Sequence, residues 1–180
     1  RLAPDDSPRQ FAVRSVARSH VGLVRMLNED RVFDCSELRV WAVADGMGGH
    51  AGGDLAAQAV IDRLRALVAT DRILGFTDML VALGQANGDI RQRNDTLRID
   101  AGATVVAAMI EGYTAHIAWA GDSRAYRMRN NRLDLLTHDH TVVQELVDAG
   151  LLSADAAERH PQSHVITRAL GRNAQPGLPT

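Results

Sequence analysis

The order of the predicted elements indicates an α+β fold in which antiparallel sheets are covered by helices. Two amphipathic helices follow one another directly, and two strand hairpins follow the helices. Because a parallel sheet needs strands and helices that alternate, this order favours antiparallel pairing over a doubly wound parallel sheet. The chain has 180 residues, 46% of them hydrophobic, so one domain with a substantial core is expected.

The N-terminal part is predicted to contain three strands after a tail or linker at residues 1–10, which holds two prolines. The third strand is a nearly continuous apolar run that places Asp45 at its C-terminal end. The glycines between positions 46 and 53 are expected to exclude regular structure and to allow positive φ angles. The three predicted strands span residues 11–16, 31–33 and 39–44.

Helices and hairpins are predicted in blocks along the rest of the chain. An apolar stripe predicts a helix from Asp54, and a second helix is expected from an N-cap at Thr77 to about Arg93. A capping box that begins at Thr141 opens a third helix, which Gly150 ends. The other predicted elements are strands at 103–110, 113–119, 123–128, 133–136 and 165–170 and a short helix at 153–158.

Composition and charge exclude several functional classes. Lys+Arg 20 against Asp+Glu 22 gives a net charge of −2, and no basic stripe indicates a nucleic-acid partner. No apolar run approaches the ~20 residues of a membrane span, and the N-terminus has no secretory pattern. The single cysteine, Cys35, cannot form an internal disulfide and fits a reducing compartment. The sequence therefore predicts a cytoplasmic protein that binds neither nucleic acid nor a membrane.

Three acidic clusters, each at the end of an apolar run, are the main functional signal. Glu29 and Asp30 form the first, Asp45 and the glycines after it form the second, and Asp122 belongs to the third. Carboxylate oxygens brought together suit Mg²⁺ or Mn²⁺. An arginine such as Arg25 suits a phosphate, because its planar fork binds two oxygens at once. Phosphate chemistry at a metal centre is the first hypothesis.

Each cluster also has a plainer interpretation. Residues 45–49 could form a glycine-rich turn between a strand and a helix, Asp122 could stabilise a tight bend, and Arg25 could be a surface arginine. A dinucleotide-binding pattern can be matched from Gly46 onward, although Asp45 would then repel the pyrophosphate. A P-loop is excluded because no Gly-Lys-Ser/Thr follows, and the histidines lack a zinc motif. A metal site accounts for both residue types, since Asp45 supplies carboxylate oxygens and Gly46 a backbone carbonyl.

Six segments, in this order along the chain, resemble the metal-dependent protein phosphatases of the PPM (type 2C) family, in particular its bacterial members. The resemblance extends from about residue 11 to residue 171 and implies an αββα sandwich of two antiparallel sheets flanked by helices. The family's metal centre lies at one end of the sandwich, between the sheets. The matching segments are GLVRMLNED (22–30), VADGMGGH (43–50), GATVVAA (102–108), AGDSRAY (120–126), LTHDH (136–140) and HP with ITRALG (160–161 and 166–171).

The resemblance implies hydrolysis of phosphoserine or phosphothreonine on proteins by a metal-activated water, with two or three Mn²⁺ or Mg²⁺ ions as cofactors. Arg25 and Asp45 are the implied catalytic residues, and His140 begins a flap near the substrate. The implied roles are Arg25 for the phosphate, Asp45 for bridging two ions, the Gly46 carbonyl for one ion, Glu29 and Asp30 for metal-bound water, and Asp122 for a third, weaker ion.

The sequence departs from the family in its C-terminal part. Family domains carry two further metal-binding aspartates in their final third, and neither segment occurs before Thr180. Residues 11–180 are therefore expected to be the N-terminal two thirds to three quarters of a PPM-type domain, lacking the last strands of the family fold. The expected partner is a phosphorylated protein, such as a Ser/Thr kinase or one of its targets. A non-catalytic pseudophosphatase that binds a phosphoprotein or regulates a kinase, and a phosphatase for small esters, remain alternatives.

Overall fold

A computed structural model describes residues 12–48, 52–70 and 73–172. Four antiparallel strands form a main sheet in the order β1-β2-β3-β4, and two further strands form a separate hairpin, so the predicted antiparallel α+β architecture is confirmed. The elements are β1 (Asp30–Cys35), β2 (Val40–Met47), α1 (Gly52–Val68), α2 (Phe76–Leu97), β3 (Gly102–Glu111), β4 (Thr114–Ala120), β5 (Tyr126–Arg129), β6 (Arg132–Leu135), α3 (Val142–Asp148) and α4 (Ala154–Ala157).

Helices α1 and α2 cover one face of the main sheet and form the hydrophobic core with it. Alternate residues of β2 and β3, such as Ala44 and Val105, are fully buried beneath the helices. Leu64 of α1 and Leu83 of α2 are also fully buried. Burying one leucine side chain contributes about 1.5–3 kcal/mol, so this layer supplies much of the folding free energy. No helix within the described residues is long and apolar enough to cross a bilayer.

The opposite face of the main sheet, called here the open face, carries no helix within the described residues. Val43 of β2 is 43% exposed there, and Trp41 and Val106 are partly buried. The segment around Val16 runs across this face and lines a cavity of about 330 Å³ with these three residues. The two faces of one sheet therefore differ in burial, and the predicted site residues Asp30 and Asp45 lie on the open face.

The predicted first strand is wrong for residues 12–16, and Phe11 and the predicted tail lie outside the described residues. Residues 12–16 form no ladder with the main sheet. Instead, the hydroxyl of Ser15 donates a hydrogen bond of 2.7 Å to the carboxylate of Asp34 on β1. This segment is therefore attached to the sheet through side chains, whereas a strand would use its backbone.

The predicted last strand at 165–170 is also wrong. Ile166 forms an isolated bridge with Thr141, and Leu170 forms another with Ala103. The segment changes partners after four residues, so no continuous ladder forms. Through these two bridges the segment is nevertheless bonded to the start of β3 and to the residue before α3.

The ends of two helices differ from the sequence prediction. Helix α2 has its N-cap at Gly75, where the Asp78 carboxylate accepts a 2.9 Å hydrogen bond from the Gly75 N–H, and it extends to Leu97. Helix α1 includes Gly52 and Gly53, which were expected to exclude regular structure. Their lack of side chains matters for packing, as described below.

The turn between the strands predicted at 123–128 and 133–136 and both predicted ends of the third helix are confirmed. Asn130 and Asn131 both have positive φ angles, 50° and 58°, as a two-residue turn between β5 and β6 requires. Thr141 is the N-cap of α3, and its hydroxyl accepts a 3.2 Å hydrogen bond from the Gln144 N–H. Gly150 adopts a φ of 69° just beyond the end of this helix.

Candidate metal centre

Residues from all four strands of the main sheet form a row at one end of the sheet. Asp45 near the end of β2 is paired with Asp30 on β1 and with Thr104 on β3. The register of β3 and β4 places Gly121 opposite Thr104, directly before Asp122. Because directly paired residues point to the same face, Asp30, Asp45 and Thr104 project together from the open face.

The loop before β1 brings Arg25 and Glu29 to the same end of the sheet. The Asn28 side-chain oxygen accepts a 3.0 Å hydrogen bond from the Asp30 N–H, which fixes the turn into the strand. A cavity of about 240 Å³ opens between this loop and the end of β2. It is lined by His20, Val21, Arg25, Leu27, Asn28, Glu29, Asp30, Asp45 and Gly46.

Arg31 holds this loop against helix α1. Its guanidinium donates hydrogen bonds of 2.9 Å to the carbonyl oxygens of Asn28 and Asp30 and one of 3.1 Å to the side chain of Gln58. It also forms an ion pair with Asp54 in the first turn of α1. This role of Arg31 has no signal in the sequence, because a polar residue inside a short strand gives no sign of its partners.

Gly46 and Gly53 allow the strand, the helix and the loop to approach closely. A Cβ at Gly46 would lie 2.0 Å from the carbonyl oxygen of Gly53. A Cβ at Gly53 would lie 2.6 Å from a carboxylate oxygen of Glu29. The missing side chain at Gly46 therefore makes room for the backbone of α1.

The carboxylate of Asp45 lies in an unfavourable environment for a negative charge. Desolvation by the surrounding protein, then the charges of Asp30, Asp122 and Glu29, raise the pKa of Asp45 to about 6. The residue as a whole is still exposed, so water can reach the carboxylate although its hydration is incomplete. Three carboxylates are thus close enough to Asp45 to repel its negative charge, and a bound cation would relieve that repulsion.

Asp122 lies on a bend that only glycine permits. Gly121 has a φ of 105°, and a Cβ there would lie 2.5 Å from the Thr104 side chain. The hydroxyls of Thr104 and Ser123 are 2.6 Å apart and form a hydrogen bond. Asp122 also lines a second cavity of about 550 Å³ beside helices α3 and α4.

His140, which was predicted to begin a flap near the substrate, contacts the bend that carries Asp122. Its Nδ1 accepts a 3.1 Å hydrogen bond from the Gly121 N–H. Burial, followed by the nearby charges of Arg168 and His138, lowers the pKa of His140, so the neutral ring that can accept this bond is favoured. A role at the substrate stays a prediction.

The structure brings five of the predicted site residues around one cavity and leaves two beside it. Asp122 is near enough to raise the pKa of Asp45 but lines the neighbouring cavity. His140 is hydrogen-bonded to Gly121, the residue before Asp122. Sequence reasoning missed Thr104, which looked like one more residue of an apolar strand. The five residues around the shared cavity are Arg25, Glu29, Asp30, Asp45 and Gly46.

The chemistry of these groups suits a hard divalent cation. Carboxylate and carbonyl oxygens are the ligands that Mg²⁺ and Mn²⁺ prefer, and the cavity beside Arg25 is lined by Glu29, Asp30 and Asp45. Across residues 12–48, 52–70 and 73–172, no three acidic, histidine or cysteine side chains lie in an arrangement that could by itself hold a metal ion. A cation at this end of the sheet would therefore need further ligands, such as the Gly46 carbonyl and water, beside the carboxylates.

Comparison with known proteins supports a phosphatase relationship. The serine/threonine protein phosphatase PstP of Mycobacterium tuberculosis is 38% identical over 178 residues, which cover 93% of this chain and 33% of PstP. The chain thus spans about a third of the length of this relative. PppA, a regulatory component of the type VI secretion system in Pseudomonas aeruginosa, has 39% identity and a TM-score of 0.80, covering 92% of this chain and 69% of PppA.

A solved PstP catalytic domain was described in complex with two manganese ions. It has 35% identity and a TM-score of 0.76, and the match covers 90% of this chain and 69% of that domain. Residues 16–146 match the sequence pattern of the family described as protein phosphatase 2C. Taken with the row of carboxylates at one end of an antiparallel sheet, this match shows that the chain belongs to the protein phosphatase 2C family.

Proposed function

We propose that the protein hydrolyses phosphoserine or phosphothreonine on other proteins in a reaction that depends on Mn²⁺ or Mg²⁺. The observation that carries this proposal is the meeting of Glu29, Asp30, Asp45 and Asp122 beside Arg25. Mutual repulsion among four carboxylates is unfavourable unless a cation joins them. Membership of a family whose PstP relative was solved with two manganese ions supports the same conclusion.

In this proposal Asp45 is the central ligand. It lies between Asp30 on β1 and Thr104 on β3, and its carboxylate would be the ligand shared by the bound ions. The carbonyl of Gly46 would provide a further oxygen, and Glu29 and Asp30 would act through water bound to the ions. When bound, the cations lower the pKa of a water molecule and neutralise charge on the phosphate.

Arg25 is proposed to bind the phosphate group of the substrate. It lines the same cavity as Asp30 and Asp45 and makes no ion pair with another described residue. A free guanidinium can donate two parallel hydrogen bonds to phosphate oxygens. This would orient the phosphorus atom toward the carboxylate row and stabilise charge that develops during transfer.

Asp122 is proposed to hold an additional, weaker ion. It lies outside the ladder, on a bend, and faces the second cavity as well as Asp45. His140 would adjoin substrate through the flap that follows it. The same proposal includes the predicted extent of the phosphatase domain, residues 11–180 as its N-terminal part, and the predicted cytoplasmic location and partner, a Ser/Thr kinase or its targets.

The direct test is release of phosphate from a phosphothreonine peptide by the full-length protein, with and without Mn²⁺. We expect release to require Mn²⁺ and to fall by orders of magnitude in Asp45→Ala. Asp95→Ala is a matched control, because Asp95 is an exposed carboxylate on α2 that lines neither cavity beside the row. Unchanged release in Asp45→Ala, or an equal loss in Asp95→Ala, would contradict the proposal.

A non-catalytic phosphoprotein-binding module is the second candidate function. The observation in its favour is that the described residues include no group of three acidic, histidine or cysteine side chains that could by itself hold a metal ion. Calorimetry with a phosphopeptide distinguishes the two, since a binding module would hold the peptide without divalent cations. Comparing the peptide with a small phosphate ester tests the remaining alternative, a phosphatase of small molecules.

A further inference from the structure

We propose that His140 and Thr104 are positioning residues that hold the Asp122 carboxylate toward Asp45. This inference rests on the proposed function, because it concerns the ion that Asp122 would bind. Neither residue needs to touch substrate or metal for this role. The side chain of His140 contacts the bend at Gly121, and the side chain of Thr104 contacts it at Gly121 and Ser123.

His140 forms two hydrogen bonds with Gly121, one as acceptor and one as donor. Its Nδ1 accepts from the Gly121 N–H at 3.1 Å, and its own backbone N–H donates to the Gly121 carbonyl at 3.0 Å. Both polar groups of the residue preceding Asp122 are thereby bonded to one partner. Rotation of the bend would break both bonds, so the direction of the Asp122 carboxylate depends on His140.

His140 is itself fixed by contacts that do not involve the bend. Its ring stacks on Trp119 of β4, with ring centres 6.1 Å apart and planes inclined by 15°. Its carbonyl accepts a 2.8 Å hydrogen bond from the Thr167 N–H. The Trp119 indole N–H also donates to the carbonyl of His138 at 2.8 Å, which ties the same segment to β4. His140 thus fixes the bend relative to β4.

Thr104 supports the bend from the side of β3. It is completely buried and is paired with Asp45 across the ladder. Its hydroxyl bonds to the hydroxyl of Ser123, the residue after Asp122, and its methyl group fills the space where a Gly121 Cβ would lie. One side chain therefore links the position of Asp45 on β2 to the position of Asp122.

Through these contacts His140 and Thr104 would orient a metal ligand without binding the ion themselves. Residues that orient a ligand without binding the ion typically change metal affinity by about 10- to 100-fold when they are removed. A change of that size should be confined to the ion held at Asp122. The ions nearer Asp45 and Asp30 are supported by the ladder itself and should bind as before.

The first experiment compares His140→Asn with His140→Gln in the full-length protein. The Asn side-chain oxygen is attached at the same carbon position as Nδ1 and can still accept from Gly121, whereas the Gln oxygen corresponds to Nε2. Mn²⁺ itself is the probe, and binding is measured by the loss of the free-Mn²⁺ electron paramagnetic resonance signal and by calorimetry. Asp122→Asn identifies which binding event belongs to Asp122.

We expect His140→Asn to bind Mn²⁺ within about threefold of wild type. His140→Gln should weaken, by about 10- to 100-fold, the same binding event that Asp122→Asn removes. Equal affinities in the two variants, whether both normal or both weak, would overturn the inference. If wild type bound no Mn²⁺, the proposed function would fail and the inference with it, so the two failures are distinguishable.

A second pair of variants tests Thr104 independently and applies even if a His140 variant fails to fold. Thr104→Ser keeps the hydroxyl that bonds to Ser123, and Thr104→Val keeps the shape without the hydroxyl. We expect Thr104→Val to lose affinity at the Asp122 ion and Thr104→Ser to retain most of it. The reverse order, or a loss in Thr104→Val spread equally over all ions, would overturn the role of Thr104.

Discussion

The two faces of the main sheet differ in the residues that they carry and in how deeply those residues are buried. The face under α1 and α2 is a continuous apolar layer, with Val40, Ala44 and Val105 all fully buried. The open face ends in a row where Asp30 and Asp45 are directly paired across two strands. Like charges in that position destabilise a sheet, whereas apolar burial stabilises it. The covered face therefore provides the stability that keeps the acidic row in place.

This difference predicts opposite outcomes for substitutions on the two faces. A change in the acidic row should remove function without lowering the free energy of unfolding of the metal-free protein. A change under the helices should lower that free energy and leave the activity of each folded molecule intact. The four predictions below are ordered from the largest expected effect to the smallest.

Asp45→Asn should reduce the rate of Mn²⁺-dependent phosphate release by at least about 100-fold. Cation stabilisation of the transferring phosphate contributes several kcal/mol, and each 1.36 kcal/mol corresponds to a factor of ten in rate. The measurement is kcat on a phosphothreonine peptide, with thermal unfolding of the metal-free variant recorded in parallel. A large loss of metal-free stability would show that Asp45 belongs to the stabilising part of the sheet.

Leu83→Ala should lower the free energy of unfolding by about 2–5 kcal/mol, because the side chain is fully buried between α2 and the sheet. Urea denaturation measures this effect. Val81→Ala on the same helix is the matched control, since Val81 is 54% exposed and should change stability by about 0.5 kcal/mol or less. Similar losses in the two variants would contradict the described core.

The contribution of Asp45 to the stability of the metal-free protein should fall as the pH rises from about 4 to about 6. The pKa of Asp45 is raised to about 6, so the folded state binds a proton more tightly than the unfolded state, whose Asp pKa is near 3.8. The resulting stabilisation is fully present below the unfolded pKa and is lost as the pH passes the folded pKa.

Thermal unfolding across this pH range, after removal of divalent ions, measures the effect. Asp45→Asn should have a smaller decrease in stability between pH 4 and pH 6 than wild type. Because Asp45 is partly solvent-exposed, the difference should be modest, and added Mn²⁺ at pH 7 should restore stability to wild type alone. Identical pH profiles for wild type and Asp45→Asn would refute the electrostatic account of the row.

The smallest effect is expected from the ion pair of Arg63 with Asp89, which joins α1 to α2 through hydrogen bonds of 2.5 and 2.6 Å. Both side chains are more than a third exposed, so Asp89→Asn should cost about 0.2–1 kcal/mol. Hydrogen bonding to Arg63 lowers the pKa of Asp89, so this stabilisation should disappear as acid protonates the carboxylate. Urea denaturation at low and high salt tests this, and no change in kcat is expected.

Local sequence patterns predicted most elements of the covered face but not the contacts that assemble the site. Hydrophobic periodicity located α1, α2 and β3, because burial on one side determines which residues are apolar. The pairing of Asp30 with Asp45 depends on strand register, which one strand does not encode by itself. For the same reason Thr104 was indistinguishable from its apolar neighbours until β3 was placed beside β2.

The glycines illustrate the same limit. Gly52 and Gly53 suggested irregular structure, yet they begin α1. Glycine is needed at position 53 because a Cβ there would lie 2.6 Å from Glu29 and 2.7 Å from the backbone of Gly46. A contact between segments that are far apart in the sequence therefore requires glycine at position 53. The segments 11–16 and 165–170 had strand composition, but residues 12–16 form no ladder and residues 166 and 170 form only single bridges.

The central claim is that the carboxylates at this end of the sheet bind divalent cations together. Anomalous diffraction from crystals of the full-length protein grown with Mn²⁺ tests it most directly. We predict manganese peaks within coordination distance of Asp45, with Asp30 and Glu29 in contact through water and Asp122 beside the weakest peak. Manganese located only elsewhere on the protein, with the Asp45 carboxylate contacting solvent alone, would contradict the claim.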